Sequence, residues 1–267
     1  MALPTPSEGS TALVTGASSG IGAAIAESLA RRGYGLTLVA RREDRLADLA
    51  SELHEEHGVR TGIVACDLAD PAERDRLAAE VDELGLDVEL LVNNAGFGSS
   101  GDFVDADRER QVEMVRVNCE TVVDLSGRYG PGMARRGRGA IINVASMAAF
   151  QPLPGQTTYA ATKAFVLSFT EALHHELKGA GVTVSAVCPG PVRTEFMDAA
   201  GIERADSTPD FIWTTSEHVA EDAVKAAEAG KRAVVPGRIM NAGALLGRYS
   251  PRKIVLPLSH RIWSRVE

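Results

Sequence analysis

The sequence contains few of the residues that mark secreted or metal-binding proteins, and no long apolar run. Three of its 267 residues are cysteines, Cys66, Cys119 and Cys188, and their spacing matches neither a disulfide framework nor a zinc motif. We therefore expect reduced core cysteines, no metal site and a cytoplasmic location. No apolar segment approaches the roughly 18 residues that cross a bilayer. The first ten residues lack the charged-then-apolar order of a secretory leader, so we expect none.

The charge of the chain is negative and unevenly distributed. The formal net charge of −8 argues against non-specific binding of nucleic acid. Residues 231–267 carry eight basic side chains and one acidic one, while the other 230 residues carry 20 basic and 35 acidic ones. Residues 237–267 therefore form a basic amphipathic extension, which we expect to dock on the acidic body or to close a pocket. Peripheral contact with an anionic membrane is the alternative.

Short β-branched segments alternate with longer amphipathic segments along the chain. Glycines at Gly33 and Gly85 end the first two clear helical patterns, as helix stop signals do. Nearly continuous apolar strands joined by helices are typical of an α/β protein, with a doubly wound parallel sheet covered on both faces. We predict one domain over residues 1–267 with about seven strands. The predicted strands are 11–15, 35–40, 61–66, 89–94, 140–145, 182–188 and 232–236.

A glycine-rich turn follows the first predicted strand and opens the first helix. Residues 15–22 read TGASSGIG. The glycines Gly16, Gly20 and Gly22 allow the backbone to approach a pyrophosphate, and the helix N-terminus supplies free N–H groups and a positive dipole end. A tight loop without a ligand is the alternative, but the position between strand and helix favours nucleotide binding.

Two arginines, Arg41 and Arg42, follow the second predicted strand. Enzymes that use NAD usually place an acid here to bind the ribose 2′-hydroxyl. A guanidinium instead matches a 2′-phosphate through paired hydrogen bonds, so this position predicts NADP. The alternative is that both arginines begin an exposed helix and pair with Glu43 and Asp44.

Other chemistry-bearing residues lie where predicted strands end. Asp67 follows the third strand, residues 93–96 (NNAG) end the fourth, and Pro189-Gly190 ends the sixth. Ligands of open parallel sheets bind beyond these carboxyl ends. Asp67 is therefore a candidate acceptor for an adenine amino group, and a helix N-cap near Pro71 is the alternative.

Ser146, Tyr159 and Lys163 form a second constellation. Ser146 ends a predicted strand thirteen residues before Tyr159, and Lys163 follows Tyr159 by four residues, or one helical turn. An ammonium beside a phenol favours the phenolate, so we expect a tyrosine pKa below its usual value of about 10. Such a tyrosine is a usable acid or base at neutral pH. A solvated helix face is the alternative for the Tyr–Lys pair considered alone.

In their order and spacing, these motifs resemble the short-chain dehydrogenase/reductase family, in its single-domain branch with a Rossmann-like fold. The resemblance covers residues 15–194, and a weaker one points to ketoacyl reductases and hydroxysteroid dehydrogenases. The family pattern implies an NADP-binding site. Its residues would be Gly16, Ser18, Ser19, Gly20, Ile21, Gly22, Arg41, Arg42, Asp67, Leu68, Asn94, Ala95, Gly96, Tyr159, Lys163, Pro189, Gly190, Val192 and Thr194.

The resemblance also implies catalytic roles for four residues. Tyr159 would protonate the carbonyl oxygen, Ser146 would hold it, and Lys163 would bind ribose hydroxyls and lower the tyrosine pKa. Asn118 would hold a water that connects Lys163 to solvent. The implied activity is the NADPH-dependent reduction of a carbonyl. The alternatives are an alcohol or hydroxysteroid dehydrogenase working in the oxidative direction, and a non-catalytic NADP-binding regulator.

The sequence describes the substrate side less fully. Residues 191–215 form a long connection, which predicts a substrate loop or lid. We expect an apolar pocket, and packing of these side chains onto the body is the alternative. In the family, the helix at 157–179 often packs against another subunit, which implies a homodimer or homotetramer. The apolar residues of the predicted pocket are Met147, Phe150, Leu153, Phe196, Met197, Ile202, Phe211, Ile212 and Trp213.

Overall fold

The computed structural model describes residues 3–201, 212–253 and 256–257 of the chain. In this part, seven strands form one parallel sheet in the order β3-β2-β1-β4-β5-β6-β7. The predicted sheet is confirmed, and only the last strand is clearly shorter than its sequence pattern. The strands are β1 (Ser10–Thr15), β2 (Leu36–Ala40), β3 (Thr61–Ala65), β4 (Asp87–Asn93), β5 (Gly139–Val144), β6 (Val182–Val187) and β7 (Ala233–Val234).

Helices connect the strands and begin and end at residues suited to those positions. Asp70 accepts a hydrogen bond from the Ala72 N–H at the start of one helix, and the chain reverses at Gly33 and Gly85 with positive φ. The helices are α1 (Gly20–Ala30), α2 (Glu43–His57), α3 (Pro71–Glu83), α4 (Arg108–Val115), α5 (Thr121–Arg136), α6 (Thr157–Lys178), α7 (Glu195–Ala199), α8 (Ser216–Glu228) and α9 (Arg238–Tyr249). A π-helical turn (Arg116–Glu120) joins α4 to α5, and a 3₁₀ turn (Met147–Phe150) follows β5.

Two apolar layers cover the sheet, one on each face. One includes Ile25 and Leu29 of α1 with Val224 of α8, and the other includes Leu77 of α3 and Leu125 of α5. The strand order reverses between β1 and β4, because β2 and β3 lie on one side of β1 and the later strands on the other. A crevice opens at such a reversal, beyond the carboxyl ends of the strands.

The cysteines are buried, and the described residues include neither a helix that could span a membrane nor a cluster of potential metal ligands. Cys66, Cys119 and Cys188 are buried and unpaired, and burial raises the pKa of the Cys66 and Cys119 thiols to about 11. Among the described residues, none of the helices combines the length and apolar character needed to cross a membrane. The same residues contain no cluster of three or more potential metal ligands.

Candidate active site

A cavity of about 850 Å³ runs along the carboxyl edge of the sheet, across the reversal between β1 and β4. This volume lies in the upper part of the range of small-molecule sites, about 300–1,000 Å³. The predicted cofactor residues line it with the exception of Gly22, which lies behind the wall. The predicted residues in the lining are Gly16, Ser18, Ser19, Gly20, Ile21, Arg41, Arg42, Asp67, Leu68, Asn94, Ala95, Gly96, Ser146, Tyr159, Lys163, Pro189, Gly190, Val192 and Thr194.

The glycine turn is held by close backbone contacts. A Cβ added to Gly22 would lie 2.2 Å from the Gly16 carbonyl oxygen and 2.5 Å from Asn94 Nδ2. Asn94 Nδ2 donates to the Thr15 and Gly16 carbonyls at 3.0 and 3.1 Å. Ser19 precedes α1, and its side chain makes no capping hydrogen bond in the described chain. The first N–H groups of α1 therefore face the cavity side uncapped, and this cradle fits a dinucleotide pyrophosphate.

Arg42 lies across the mouth of this turn. Its guanidinium donates to the hydroxyls of Ser18 and Ser19 at 3.0 Å each, and its Nη1 donates to Glu195 Oε2 at 2.7 Å. In the described residues, Arg42 therefore does not pair with Glu43 or Asp44, which was the alternative. The arginine pairs instead with an acid from the segment after β6.

Asp67 and Leu68 form the opposite wall of this end of the cavity. Asp67 Oδ1 accepts from the Ala69 N–H at 3.0 Å, and the cap of α3 is Asp70. The alternative that Asp67 caps α3 is therefore wrong, because Asp70 already fills that role. The Leu68 carbonyl accepts from Arg74 and Thr121, which ties this wall to the base of α5.

Ser146, Tyr159 and Lys163 meet in the other half of the cavity. Ser146 follows β5 and caps the 3₁₀ turn by accepting from the Ala148 N–H at 3.1 Å. Tyr159 and Lys163 lie on one face of α6, and Lys163 Nζ is 5.8 Å from the centre of the tyrosine ring. Lys163 is 5% exposed and donates to the Val144 carbonyl at 2.9 Å.

The pKa values of this pair correct one prediction. Burial raises the pKa of Tyr159 to about 12, and its hydrogen bond with Ser146 opposes the shift. Burial also lowers the pKa of Lys163 to about 8. The predicted lowering of the tyrosine pKa by Lys163 is therefore wrong for this structure, because burial of the phenol dominates its pKa. The amine is also directed to the Val144 carbonyl rather than to the phenol oxygen.

Asn118 lies behind the cavity wall, in the π-helical turn. Its Oδ1 accepts from the Phe97 N–H at 3.1 Å, and its Nδ2 donates to the Phe97 carbonyl and to Thr162 Oγ1, both at 3.0 Å. Thr162 Oγ1 in turn donates to the Tyr159 carbonyl at 2.8 Å. Asn118 thus connects Phe97, the residue after NNAG, to helix α6. Nothing in the sequence signalled Thr162 or the π-helical turn.

The substrate side of the cavity is apolar. Phe196 packs on Tyr159 with ring centres 5.6 Å apart, while Phe150 joins the core and Trp213 packs with Arg193. Met147, Leu153, Met197 and Ile212 line the cavity as predicted, and sequence reasoning missed Phe97, Glu113, Val117, Gln156 and Glu195 in the same lining. The predicted pocket residues Ile202 and Phe211 lie outside the described residues.

The described part of the basic extension packs beside this end of the cavity. Met240 of α9 contacts the chain at Gly190, where an added Cβ would lie 2.8 Å from the methionine sulfur. Arg248 Nη1 lies 3.7 Å from Glu171 Oε1 of α6. These contacts place the described part of the extension against the body, and its role stays a prediction. In the same extension, Ile254, Val255, Ile262 and Trp263 lie outside the described residues, as do the side chains of Leu245 and Leu246.

Comparison with known proteins connects this site to one family. The family model described as short chain dehydrogenase matches residues 10–205. A very-long-chain 3-oxoacyl-CoA reductase of Anas platyrhynchos is 37% identical over 196 residues, covering 72% of this chain and 62% of that protein. The chain thus spans less than two thirds of that relative's length. A granaticin polyketide synthase putative ketoacyl reductase 1 of Streptomyces violaceoruber is 39% identical over 216 residues, covering 80% and 77% of the two chains.

Solved structures agree with this assignment. A short-chain dehydrogenase from Sphingobium yanoikuyae in complex with NADPH superposes with a TM-score of 0.80 at 34% identity, covering 93% of this chain and 95% of the other. A 7beta-hydroxysteroid dehydrogenase superposes with a TM-score of 0.84 at 28% identity, covering 94% and 96%. The chain belongs to the short-chain dehydrogenase family.

Proposed function

We propose that this protein is an NADPH-dependent reductase that acts on the carbonyl of an apolar or acyl-chain-bearing small molecule. The single observation that carries the proposal is the position of Tyr159. Its phenol is influenced by Ser146, which opposes the rise in the tyrosine pKa, and its ring packs against Phe196 in the apolar half of the cavity. A proton donor is therefore present where an apolar substrate would bring its carbonyl.

Tyr159, Ser146 and Lys163 have separate roles in the proposed carbonyl reduction. When bound, the cofactor supplies the hydride for the carbonyl carbon. Tyr159 donates its proton to the carbonyl oxygen, and its raised pKa keeps it protonated at neutral pH. Ser146 donates a hydrogen bond to the same oxygen and stabilises the charge that develops there. Lys163, charged below a pKa of about 8, holds ribose hydroxyls and adds positive charge beside the phenol.

The basic side chains near the glycine turn support the choice of NADPH. Arg41 and Arg42 line the cavity after β2, at the position where an acid would bind a ribose 2′-hydroxyl. Arg42 makes three hydrogen bonds to the hydroxyls of Ser18 and Ser19 and one to Glu195, so its guanidinium lies against the glycine turn, where a 2′-phosphate would bind. The Sphingobium enzyme, which superposes over most of both chains, was solved with NADPH.

The names of relatives support the substrate class and leave one alternative. Two similar proteins are named as reductases of 3-oxoacyl-CoA or ketoacyl groups, which are carbonyls on acyl chains. The superposition on a 7beta-hydroxysteroid dehydrogenase favours the second candidate, an alcohol dehydrogenase of hydroxysteroid type working in the oxidative direction. A non-catalytic NADP-binding regulator is disfavoured, because Ser146, Tyr159 and Lys163 are all present in the cavity.

A substrate panel with two tyrosine variants tests the proposal. NADPH oxidation is measured with ketoacyl thioesters, bulky ketones and aldehydes, and NADP reduction with hydroxysteroids. We expect Tyr159→Phe to lower turnover by about 10²–10⁴-fold, because it removes the general acid, and to leave NADPH binding intact. Tyr129→Phe is the matched control, since the Tyr129 hydroxyl is buried in α5 without a partner in the described structure. Full turnover in Tyr159→Phe would refute the assignment of the acid, and activity confined to hydroxysteroid oxidation would select the second candidate.

A further inference from the structure

Three consecutive residues after β6 contact three different parts of the site. The methyl group of Thr194 lies against the glycine turn, where a Cβ added to Gly20 would be 3.1 Å away. Glu195 forms ion pairs with both Arg42 and Arg45, and the Phe196 ring packs on the Tyr159 ring. Glu195 therefore lies between two parts of the cavity. One is the cofactor half, around the glycine turn and Arg42, and the other is the substrate half, around Tyr159 and Phe196.

The carboxylate of Glu195 occupies the fork that the proposed cofactor needs. Its Oε2 accepts from Arg42 Nη1 at 2.7 Å, and its Oε1 accepts from Arg45 Nη1 at 2.6 Å. The two hydrogen bonds, the one from Arg42 first, hold the pKa of this carboxyl below its usual value. Glu195 is therefore an anion at neutral pH. It lies on the same guanidinium that faces the hydroxyls of Ser18 and Ser19.

We propose that Glu195 is a specificity-determining residue for the cofactor, which competes with the ribose 2′-phosphate for Arg42. The inference rests on the proposed binding of NADP. On binding, the phosphate takes over the Arg42 fork, and the Glu195 carboxylate stays on Arg45 alone. A phosphate carries more charge than one carboxylate and offers three acceptor oxygens, so it displaces the carboxylate from the shared guanidinium.

The exposure of these side chains makes the exchange feasible. The side chains of Arg42 and Glu195 are 41% and 49% exposed, and that of Arg45 is 49% exposed. Exposed ion pairs of this kind contribute little net stability, so the Arg42–Glu195 pair opens at small cost. Arg45 remains as a second partner for the carboxylate. The segment that carries Phe196 therefore keeps an anchor near the cofactor while Arg42 changes partner.

Direct binding of the oxidised cofactors tests the proposal without any turnover. NADP+ and NAD+ differ by the 2′-phosphate, and both are titrated by calorimetry into the wild-type protein and into Glu195→Gln. We expect Glu195→Gln to bind NADP+ about 2- to 5-fold more tightly, as removal of an exposed competing pair predicts. Binding of NAD+ should not change. The gain should shrink at high salt because the charges are exposed.

Two further variants separate competition from a general charge effect. Glu43→Gln removes the same charge beside Arg42, but the Glu43 carboxylate makes no hydrogen bond to Arg42 in the described chain. Its gain in NADP+ affinity should be smaller than that of Glu195→Gln. Arg45→Gln should weaken NADP+ binding more in the wild type than in Glu195→Gln, because it leaves the carboxylate on Arg42 alone.

The outcomes distinguish this inference from the proposed function. If Glu195→Gln binds NADP+ no better than the wild type, or more weakly, Glu195 is not a competitor, while a wild-type preference for NADP+ keeps the proposed cofactor. If Arg45→Gln has equal effects in both backgrounds, the exchange between arginines is wrong. If the wild type binds NAD+ as tightly as NADP+, the choice of NADP and the role of Glu195 both fail.

Discussion

The two halves of the cavity are built from different kinds of contact. In the cofactor half, the glycine turn is fixed by backbone atoms and by Asn94, whose amide donates to the carbonyls of Thr15 and Gly16. In the substrate half, the walls are apolar side chains such as Phe196, Met147 and Met197. Backbone atoms packed at van der Waals distance have no alternative position, whereas methionine and phenylalanine side chains can repack. One half therefore tolerates almost no change, and the other is adjustable.

This difference explains how one frame serves many substrates. The cofactor half would bind the pyrophosphate and ribose, which every nicotinamide cofactor shares. The substrate half is formed by the 3₁₀ turn and the segment around α7, and helix α9 packs against the 3₁₀ turn. Function is added to a stable scaffold by segments of this kind. Three substitutions test the contrast, ordered from the largest expected change in the free energy of packing and folding to the smallest.

The largest effect is expected at Gly22. Gly22→Ala would place a Cβ 2.2 Å from the Gly16 carbonyl oxygen, where only backbone movement relieves the clash. Overpacking of this kind costs about 1–3 kcal/mol. If the turn opens to relieve it, cofactor affinity should fall by about 10- to 100-fold. The measurement is a calorimetric titration with NADP+ together with the urea unfolding curve.

Gly127→Ala is the control for this change. Gly127 lies in α5, and an added Cβ there would meet nothing within 4 Å. The same substitution should therefore raise the free energy of unfolding by about 0.5–1 kcal/mol and leave NADP+ binding unchanged. Normal cofactor binding by Gly22→Ala would show that the cofactor half is as adjustable as the substrate half.

The second effect is expected at Lys163, where catalysis and stability should move in opposite directions. Its folded pKa of about 8 lies below the usual 10.5, so burial of the ammonium destabilises the fold. This cost is fully present below pH 8, where both states are charged, and disappears as pH rises toward 10.5. The shift corresponds to a destabilisation of about 3 kcal/mol at neutral pH. Replacing Lys163 by methionine would remove this cost, but it would also remove the hydrogen bond to the Val144 carbonyl, which stabilises the fold by about 1–2 kcal/mol.

We therefore expect Lys163→Met to unfold at higher urea concentration than the wild type at pH 7, but not at pH 10.5. Its turnover should fall by at least about 10²-fold, since the variant lacks the positive charge beside the Tyr159 phenol. Lys178→Met is the control, because Lys178 is exposed at the end of α6. A destabilised Lys163→Met protein at pH 7 would mean that Lys163 stabilises the fold rather than straining it.

The sequence predicted the cofactor half closely because its signals are local. Strands are recognised from their apolar runs, and the carboxyl ends of parallel strands share one edge, so Asp67, NNAG, Ser146 and Pro189-Gly190 converge in the cavity as expected. Glycine positions report backbone contacts directly. Gly22 is conformationally ordinary but sterically required, and the motif spacing identified it.

The features that sequence reasoning missed depend on long-range contacts. Arg42 and Glu195 are 153 positions apart, so local pairing with the neighbouring acids was the only alternative that the sequence suggested. The spacing of Tyr159 and Lys163 predicted their shared face, but not that desolvation would govern both pKa values. The oligomeric state, the cytoplasmic location and membrane contact by the basic extension stay predictions. The exposed Phe165 on α6 is the kind of residue that a subunit interface would cover.

The smallest effect is expected at Phe196, in the adjustable half. Phe196→Ala removes the ring that packs 5.6 Å from the Tyr159 ring, and such aromatic pairs contribute about 0.5–1.5 kcal/mol. We expect kcat/KM for an apolar ketone or ketoacyl thioester to fall by about 2- to 12-fold. The loss should appear mainly in KM, because the proton donor itself remains. Binding of NADP+ should be unchanged, since Phe196 contacts the substrate side. Phe103→Ala, at a side chain 62% exposed and outside the cavity lining, is the control. An equal loss with a small polar ketone would mean that Phe196 positions Tyr159 rather than forming the apolar wall, and the contrast between the two halves would then fail at their boundary.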